Sequence, residues 1–172
     1  MSALPPGPVL EAAFAEAMAP LFEGAPRFLA RLVRRAATRP FESEDDLFET
    51  ARAIAHAMPE AEQIELLDAH PRLGAPAGSV SALSFDEQGY GATGRDADDE
   101  TRRALVASTL ERLNGAYEAR FGFRYCVFVA GRSREALLPD FAAAFEEEPA
   151  TELHRALDAV IDIARDRQRR TT

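Results

Sequence analysis

The chain is organised around the stretch Asp68-Ala69-His70-Pro71-Arg72-Leu73-Gly74. Because a residue before proline is disfavoured in the α region, the preceding helix is predicted to end with the His70 imidazole projecting from its last turn. His70 follows Leu67 by three residues and Ile64 by six, so it shares their inward face. We therefore expect a histidine that backbone geometry holds on a buried surface, followed by a sharp turn at the glycine.

Helical spacing continues on both sides of this stretch. Upstream, it predicts helices over residues 9–19, about 26–37, 44–58 with Ser43 as N-cap, and 60–69. Downstream, it predicts helices over 98–121, from a Ser133 cap to about residue 146 with a bend at Pro139, and from Pro149 onwards. Helices thus account for most of the chain.

Two segments lack this spacing. Residues 74–96 are rich in Gly, Ala, Ser and Pro, and a loop of that length in a compact domain is usually functional or disordered. Within it, Ser84 is predicted to cap a short helix in which Glu87 closes a capping box. The apolar run 125–129 has no partner strand, which predicts a buried connector with free backbone amides. The fold class is all-α: a single-domain bundle of about seven or eight helices with one long ordered loop.

Composition limits the alternatives. A length of 172 residues with 47% hydrophobic side chains favours one domain over 1–172, with residues 1–8 as an extended lead-in and 168–172 as a frayed tail. No apolar run approaches the roughly 20 residues of a membrane span, and no signal peptide is evident. The single Cys126 fits a reducing, cytoplasmic compartment, and the net charge of −9 argues against a nucleic-acid partner.

Several side chains allow both a structural and a functional interpretation. His70 could cap its helix end, and Glu87 could serve only the capping box. Arg167 lies on the inward face of the last helix, where a guanidinium needs an anionic partner unless the helix frays there. Cys126 reads as an inert core thiol. His56 is predicted to lie on a solvated face, and neither His56 nor His154 is expected to have a functional role.

Three motifs resemble those of one family. His70-Pro71-Arg72-Leu73-Gly74, Ser84-Phe85-Asp86-Glu87-Gln88 and Arg120-Phe121-Gly122-Phe123-Arg124-Tyr125 resemble the HPxLG, SxxEQ and RFGFPF signatures of 2-oxo-4-hydroxy-4-carboxy-5-ureidoimidazoline (OHCU) decarboxylase. They occur in the family's order with similar spacing. The resemblance covers nearly the whole chain, although each motif alone is weakly specific.

The resemblance implies the last step of urate breakdown, in which OHCU becomes (S)-allantoin and carbon dioxide without cofactor or metal, in a helical protein that is commonly dimeric. It implies His70 and Glu87 as catalytic residues. The substrate-binding residues that it implies are Pro71, Ser84, Phe85, Asp86, Glu87, Gln88, Tyr125, Cys126, Val127, Phe128, Val129 and Arg167, with Arg167 placed to meet the carboxylate.

Two departures from the family pattern flank this site. Tyr90 interrupts the usual sequence after EQ, and Arg124 replaces the proline of FGFPF. A lyase for a related ureide or imidazoline therefore stays an alternative, as does a catalytically silent partner of a purine-catabolic enzyme. Histidine can exchange a proton near neutral pH, and a neighbouring Glu87 is expected either to orient the imidazole and raise its pKa or to hold the substrate hydroxyl.

Overall fold

The computed structural model describes residues 8–90 and 97–171, and these residues form α-helices without any β-strand. The predicted all-α fold class is confirmed. Residues 1–7 of the predicted lead-in, residues 91–96 of the predicted loop and Thr172 lie outside the described residues. The helices are α1 (Pro8–Met18), α2 (Pro26–Thr38), α3 (Glu44–Ala57), α4 (Glu60–Asp68), α5 (Ala82–Glu87), α6 (Ala97–Phe121), α7 (Arg134–Ala144) and α8 (Pro149–Thr171), with single 3-10 turns at Ala19–Phe22 and Ala77–Ser79.

Helix α8 is the central element of the bundle. It packs against α3, α4 and the turn Ala19–Phe22. Its predicted inward residues Leu153, Leu157, Val160 and Ala164 are all buried, as amphipathic spacing requires. The helix continues to Thr171, so residues 168–171 are helical where the sequence predicts fraying.

The predicted caps are confirmed at two helices and wrong at a third. Ser43 accepts a hydrogen bond from Asp46 N at 3.1 Å, and Ser133 accepts one from Ala136 N at 3.1 Å. The cap of α5 is Ser81, which accepts from Ser84 N at 3.2 Å, rather than Ser84. Because the helix begins three residues earlier than predicted, Glu87 cannot close a capping box with Ser84.

The turn after α4 is fixed by α6. His70 N donates to Leu67 O at 3.1 Å, which tightens the end of the helix. Gly74 follows with φ of 81°, and a Cβ there would lie 2.8 Å from Leu110 Cδ1. Asn114 Nδ2 donates to Leu73 O at 2.9 Å, so α6 holds this turn by a hydrogen bond as well as by packing. The sharp turn predicted at Gly74 is therefore present and tightly packed.

Residues 125–129 form a connector without regular secondary structure, as the sequence predicts. Tyr125 and Cys126 are buried, and the Tyr125 ring stacks on Phe141 at a centroid distance of 3.8 Å. Stacking of this kind stabilises the connector against α7.

His56 differs from its predicted solvated position. Its Nε2 lies 2.8 Å from Asp158 Oδ1, and its side chain is 30% exposed at the contact between α3 and α8. His154 is exposed, and its ring centroid lies 5.0 Å from that of His56. In the described part of the chain, no helix combines the length and the apolar character that crossing a membrane requires.

Candidate active site

One cavity brings together the residues that the sequence singles out. The end of α4, helix α5, the connector and the last turns of α8 all contribute to its wall. The lining residues are His70, Pro71, Leu73, Ser84, Asp86, Glu87, Gln88, Tyr125, Cys126, Val127, Phe128, Val129, Ala130, Gly131, Ile163, Asp166, Arg167 and Arg170. A cleft with an apolar wall and a few convergent polar groups is typical of a small-molecule site.

His70 presents one free ring nitrogen in this cavity. Its Nδ1 lies 3.0 Å from Leu66 O, and since a carbonyl only accepts, Nδ1 carries the hydrogen. Nε2 is buried and has no hydrogen-bond partner among the described residues. The imidazole is therefore oriented by the backbone of its own helix, with an acceptor lone pair left over.

The electrostatic environment keeps His70 neutral. Burial, followed by the positive charge of Arg167, lowers the pKa of His70 from 6.5 to about 4, although the Leu66 hydrogen bond and the charge of Glu23 act in the opposite direction. At neutral pH the imidazole is thus an acceptor rather than a cation. The expectation that Glu87 orients the ring and raises its pKa is wrong, because Leu66 orients it and desolvation dominates the shift.

Arg167 is the buried cation of the cavity, with 1% of its side chain exposed. Its Nε and one terminal nitrogen donate to the two carboxylate oxygens of Glu87 at 2.7 and 2.9 Å. The same terminal nitrogen donates to Glu23 Oε1 at 2.9 Å and to Ser84 Oγ at 3.0 Å. The other terminal nitrogen donates to carbonyl oxygens of the turn Ala19–Phe22. Every nitrogen of the guanidinium therefore has a protein acceptor.

The structure excludes the capping box for Glu87 and the frayed helix end for Arg167. The Glu87 carboxylate forms a bidentate pair with Arg167, a geometry that both strengthens and orients the contact. The inward position of Arg167 and its need for an anionic partner are as the sequence predicts. Its predicted contact with a substrate carboxylate stays a prediction, because protein carboxylates hold the guanidinium here.

Glu23 is a member of the site that sequence reasoning missed. Its carboxylate accepts from Arg167 at 2.9 Å, from Ser84 Oγ at 2.7 Å and from Ser81 Oγ at 2.8 Å. These hydrogen bonds and the Arg167 charge hold the pKa of Glu23 below its ordinary value, against the effect of burial. The inward Arg167 signalled that some anion was required, but no local pattern pointed to residue 23.

Two other predicted binding residues have different surroundings from those expected. Phe85 is not among the lining residues, and it packs instead on the Tyr90 ring at 5.3 Å because α5 turns this side chain towards the loop. Gln88 lines the cavity, but its Oε1 accepts from Gly74 N at 2.7 Å. Its amide thus braces the turn that follows His70. The lining residues that the sequence did not indicate are Leu73, Ala130, Gly131, Ile163, Asp166 and Arg170.

Both departures from the motif pattern contribute structural contacts. Arg124 NH1 donates to Asp68 O at 2.7 Å and to His70 O at 3.0 Å, which ties the connector to the end of α4. The Tyr90 hydroxyl donates to Ala75 O, and the Arg134 guanidinium lies 4.5 Å from the Tyr90 ring centroid. Neither side chain lines the cavity. These residues therefore fix the walls of the site from outside.

Comparison with known proteins identifies the family to which the chain belongs. A family model described as OHCU decarboxylase matches residues 9–169. The mouse 2-oxo-4-hydroxy-4-carboxy-5-ureidoimidazoline decarboxylase is 34% identical over 131 residues, which cover 73% of this chain and 69% of that protein. The uric acid degradation bifunctional protein PucL of Bacillus subtilis is also 34% identical, over 132 residues that cover 77% of this chain. The match spans only 25% of the length of PucL.

The fold also matches a solved structure. A crystal structure of OHCU decarboxylase in the presence of (S)-allantoin superposes with a TM-score of 0.66 at 20% identity, covering 88% of this chain and 94% of that one. At this identity the likeness establishes the helical fold alone. The family itself is established by the sequence matches, and this chain belongs to the OHCU decarboxylase family.

Proposed function

We propose that this protein catalyses the decarboxylation of OHCU to (S)-allantoin and carbon dioxide, the last step of urate breakdown. The observation that carries the proposal is that one cavity is lined both by a neutral imidazole whose Nε2 has no protein partner and by an arginine-bound carboxylate. Perturbed titratable groups that share a cleft are typical of catalytic sites. Membership of the OHCU decarboxylase family supports the same reaction.

The reaction requires an electron sink and three proton transfers. When the bond between the ring carbon and the carboxylate breaks, carbon dioxide leaves and the electron pair moves into the adjacent C=N group, whose nitrogen takes up a proton. The hydroxyl on the same ring carbon then loses its proton as it becomes a carbonyl, and the neighbouring carbon gains a proton on one face, so one proton is consumed for each carbon dioxide released. A base and an acid fixed on one side of the ring can perform the last two transfers stereospecifically.

The two predicted catalytic residues suit these transfers. His70 Nε2 can accept the hydroxyl proton because the imidazole is neutral and Nδ1 is already bound to Leu66 O. Because its pKa is lowered to about 4, protonated His70 gives up its proton readily, so the ring can pass the accepted proton on to the substrate carbon. Glu87 is held by Arg167, which fixes one further proton acceptor at the same cavity.

The surrounding residues suit a small polar ring. Tyr125 to Val129 offer main-chain groups along one wall, and Ser84, Asp86 and Gln88 offer polar side chains along another. Arg170, whose side chain is 49% exposed and pairs with Asp166 at 2.7 Å, is the lining cation with the most freedom to meet a carboxylate. We propose that these groups orient the substrate for loss of its carboxylate.

The direct test is to generate OHCU in situ from urate and to follow the circular dichroism of (S)-allantoin as it forms. We expect His70→Asn and Glu87→Gln to fold normally and to lose at least about a hundredfold in turnover, the usual contribution of a general acid or base. His56→Asn is the matched control, since His56 lies at the contact of α3 with α8 and outside the cavity. Unchanged turnover in both cavity variants would contradict the proposal.

We also propose an assembly, a domain organisation and a compartment for the protein. We propose a homodimer, as the family resemblance implies, and a single domain over residues 1–172, consistent with one hydrophobic core cluster. We propose a cytoplasmic location because a single cysteine fits a reducing compartment. Sedimentation analysis tests the dimer, and fractionation of the native host tests the compartment.

A further inference from the structure

We propose that Glu23 is a positioning residue for this reaction, which balances the charge of Arg167 so that Glu87 can exchange a proton during turnover. This inference rests on the proposed function. Glu23 is absent from the cavity lining, so it is not proposed to touch the substrate. It acts through Arg167 and Ser84, both of which line the cavity and both of which it contacts.

The geometry around Glu23 is that of a built site. One carboxylate oxygen, Oε1, accepts from the Arg167 guanidinium, the Ser84 hydroxyl and the Ser81 hydroxyl, all within 2.9 Å. Ser81 is at the same time the N-cap of α5, the helix that carries Glu87. A single carboxylate therefore holds both the arginine and the start of the helix that bring Glu87 to the cavity.

The backbone of Glu23 is also unusual. Its φ is 51°, in the left-handed region that non-glycine residues seldom adopt. The preceding turn is fixed from the other side, because Arg167 donates to Pro20 O at 3.0 Å and to Leu21 O at 3.3 Å. Strained backbone that persists in a well-packed environment is concentrated at functional sites. This left-handed turn and the Arg167 hydrogen bonds to it together hold the Glu23 carboxylate against the guanidinium.

The charges of Glu23, Glu87 and Arg167 explain how Glu23 can affect Glu87. One guanidinium is shared by two carboxylates, so the cluster of Glu23, Glu87 and Arg167 carries a net negative charge. If Glu87 takes up a proton, Arg167 stays paired with Glu23. Without Glu23, the same protonation would leave a buried cation unpaired, which is costly. Glu23 therefore allows Glu87 to become neutral without stranding Arg167.

Other titratable groups share this environment, and they set the expected direction of the pH effect. The groups that line the adjoining cavity are Asp86 and Glu87 of α5, Asp166, Arg167 and Arg170 of α8, His70 after α4, and Tyr125 and Cys126 of the connector. The Glu23 charge raises the pKa of His70, in opposition to burial and to Arg167. When the Glu23 charge is removed, the positive charge of Arg167 is less compensated, so the pKa of His70 is expected to fall.

The test compares Glu23→Gln with the wild-type protein in turnover and in pH dependence. We expect kcat to fall at least about tenfold with KM changed by less than about threefold, and the acidic limb of the pH–rate profile to move to lower pH by about one unit. Ser81→Ala is the matched control, because it removes one hydrogen bond to Glu23 and the cap of α5 but no charge. It should lower stability and leave the profile in place.

Two outcomes would overturn the proposal. In the first, Glu23→Gln has the kcat and the pH–rate profile of the wild-type protein. In the second, Glu23→Gln and Ser81→Ala lose kcat equally and the acidic limb of neither profile moves. If Glu23→Gln does not fold, Glu23→Asp replaces it. The shorter carboxylate withdraws from Arg167, so a smaller shift in the same direction is expected, and no shift would count against the role. NMR titration of the His70 imidazole gives a readout that is independent of OHCU turnover. If the His70 pKa is lower in the variant but the wild-type protein does not turn over OHCU, the electrostatic effect of Glu23 is supported and the proposed reaction is rejected.

Discussion

Two arginines of α8, Arg155 and Arg167, form ion pairs with shielded carboxylates, and of these two only Arg167 lines the cavity. Arg155 donates to the two oxygens of Glu152 at 2.6 and 2.8 Å, and Glu152 is completely buried. The Tyr117 hydroxyl completes this group by donating to Glu152 at 2.5 Å. Arg167, twelve residues later on the same helix, is instead shared by Glu87 and Glu23.

The difference between the clusters lies in charge balance and in what each one leaves unpaired. The charges of Arg155 and Glu152 cancel. The remaining terminal nitrogen of Arg155 donates to Cys126 O of the connector at 2.9 Å. The Arg167 cluster has an excess carboxylate and lies in the cavity beside the free Nε2 of His70. A buried ion pair is thus poor evidence for an active site. Excess charge next to an unsatisfied imidazole is better evidence.

The largest expected effect comes from removing each arginine in turn. Arg167→Met and Arg155→Met each leave buried carboxylate without its cation, so each should lose about 3–5 kcal/mol of unfolding free energy. Only Arg167→Met should lose at least about a hundredfold in OHCU turnover, because it releases Glu87. Urea unfolding and the circular-dichroism assay, both at a temperature where the variants are folded, measure the two quantities. Equal losses of turnover would show that the two clusters serve the cavity alike.

The second prediction concerns the dependence of stability on pH. The His70 pKa is about 4 in the folded protein and about 6.5 in the unfolded chain. Between these values the unfolded chain binds a proton that the folded protein does not, so stability falls as the pH is lowered through this window. Between pH 7 and pH 4.5 the wild-type protein should lose about 2 kcal/mol more than His70→Asn.

The control for that measurement comes from the other cluster. Tyr117→Phe keeps His70 and the Arg167 cluster, so the change in its unfolding free energy between the two pH values should match that of the wild-type protein. Parallel pH curves for the wild-type protein and His70→Asn would mean that His70 is protonated equally in the folded and unfolded states. That result would remove the case for a neutral imidazole in the cavity.

The helical fold was largely predictable because its signals are local. Spacing and caps placed most helices within two residues of their observed bounds, and α8 shows the predicted inward residues. The error at α5 has a specific cause, since Ser81 and Ser84 are both plausible caps in a short polar segment. In the packed structure both hydroxyls contact Glu23, and the helix begins after Ser81, whose hydroxyl accepts from Ser84 N.

The candidate site was predictable where the sequence position of a residue indicated the environment of its own side chain. The proline after His70 indicated a fixed imidazole, and the inward position of Arg167 indicated an anionic partner. The identity of that partner depends on contacts across 80 and 144 positions of the chain, for which local patterns carry no signal. The protonation state of His70 could not be predicted from the sequence for a similar reason, because desolvation is a property of the assembled bundle.

A smaller effect is expected from the hydroxyl of Tyr117. Burial and the contact with Glu152 raise the pKa of Tyr117, so the group stays protonated and donates to the carboxylate. Tyr117→Phe keeps the aromatic packing and removes a hydrogen bond to a charged group, for a loss of about 2 kcal/mol. Turnover should not change, since Tyr117 is not in the cavity wall. A large fall in turnover at full folding would instead connect this cluster to the chemistry.

The smallest effect should come from a third ion pair of α8, on the surface. Asp158 accepts from Arg52 at 2.7 Å and contacts His56, but its side chain is 46% exposed. Water and salt screen such pairs, so Asp158→Asn should lose less than about 1 kcal/mol, and the difference from wild type should shrink in 1 M NaCl. A loss equal to that of Arg155→Met would mean that burial does not set the strength of these pairs, and the contrast drawn between the clusters would fail. Salt-dependent urea unfolding of the two variants, measured side by side, decides this.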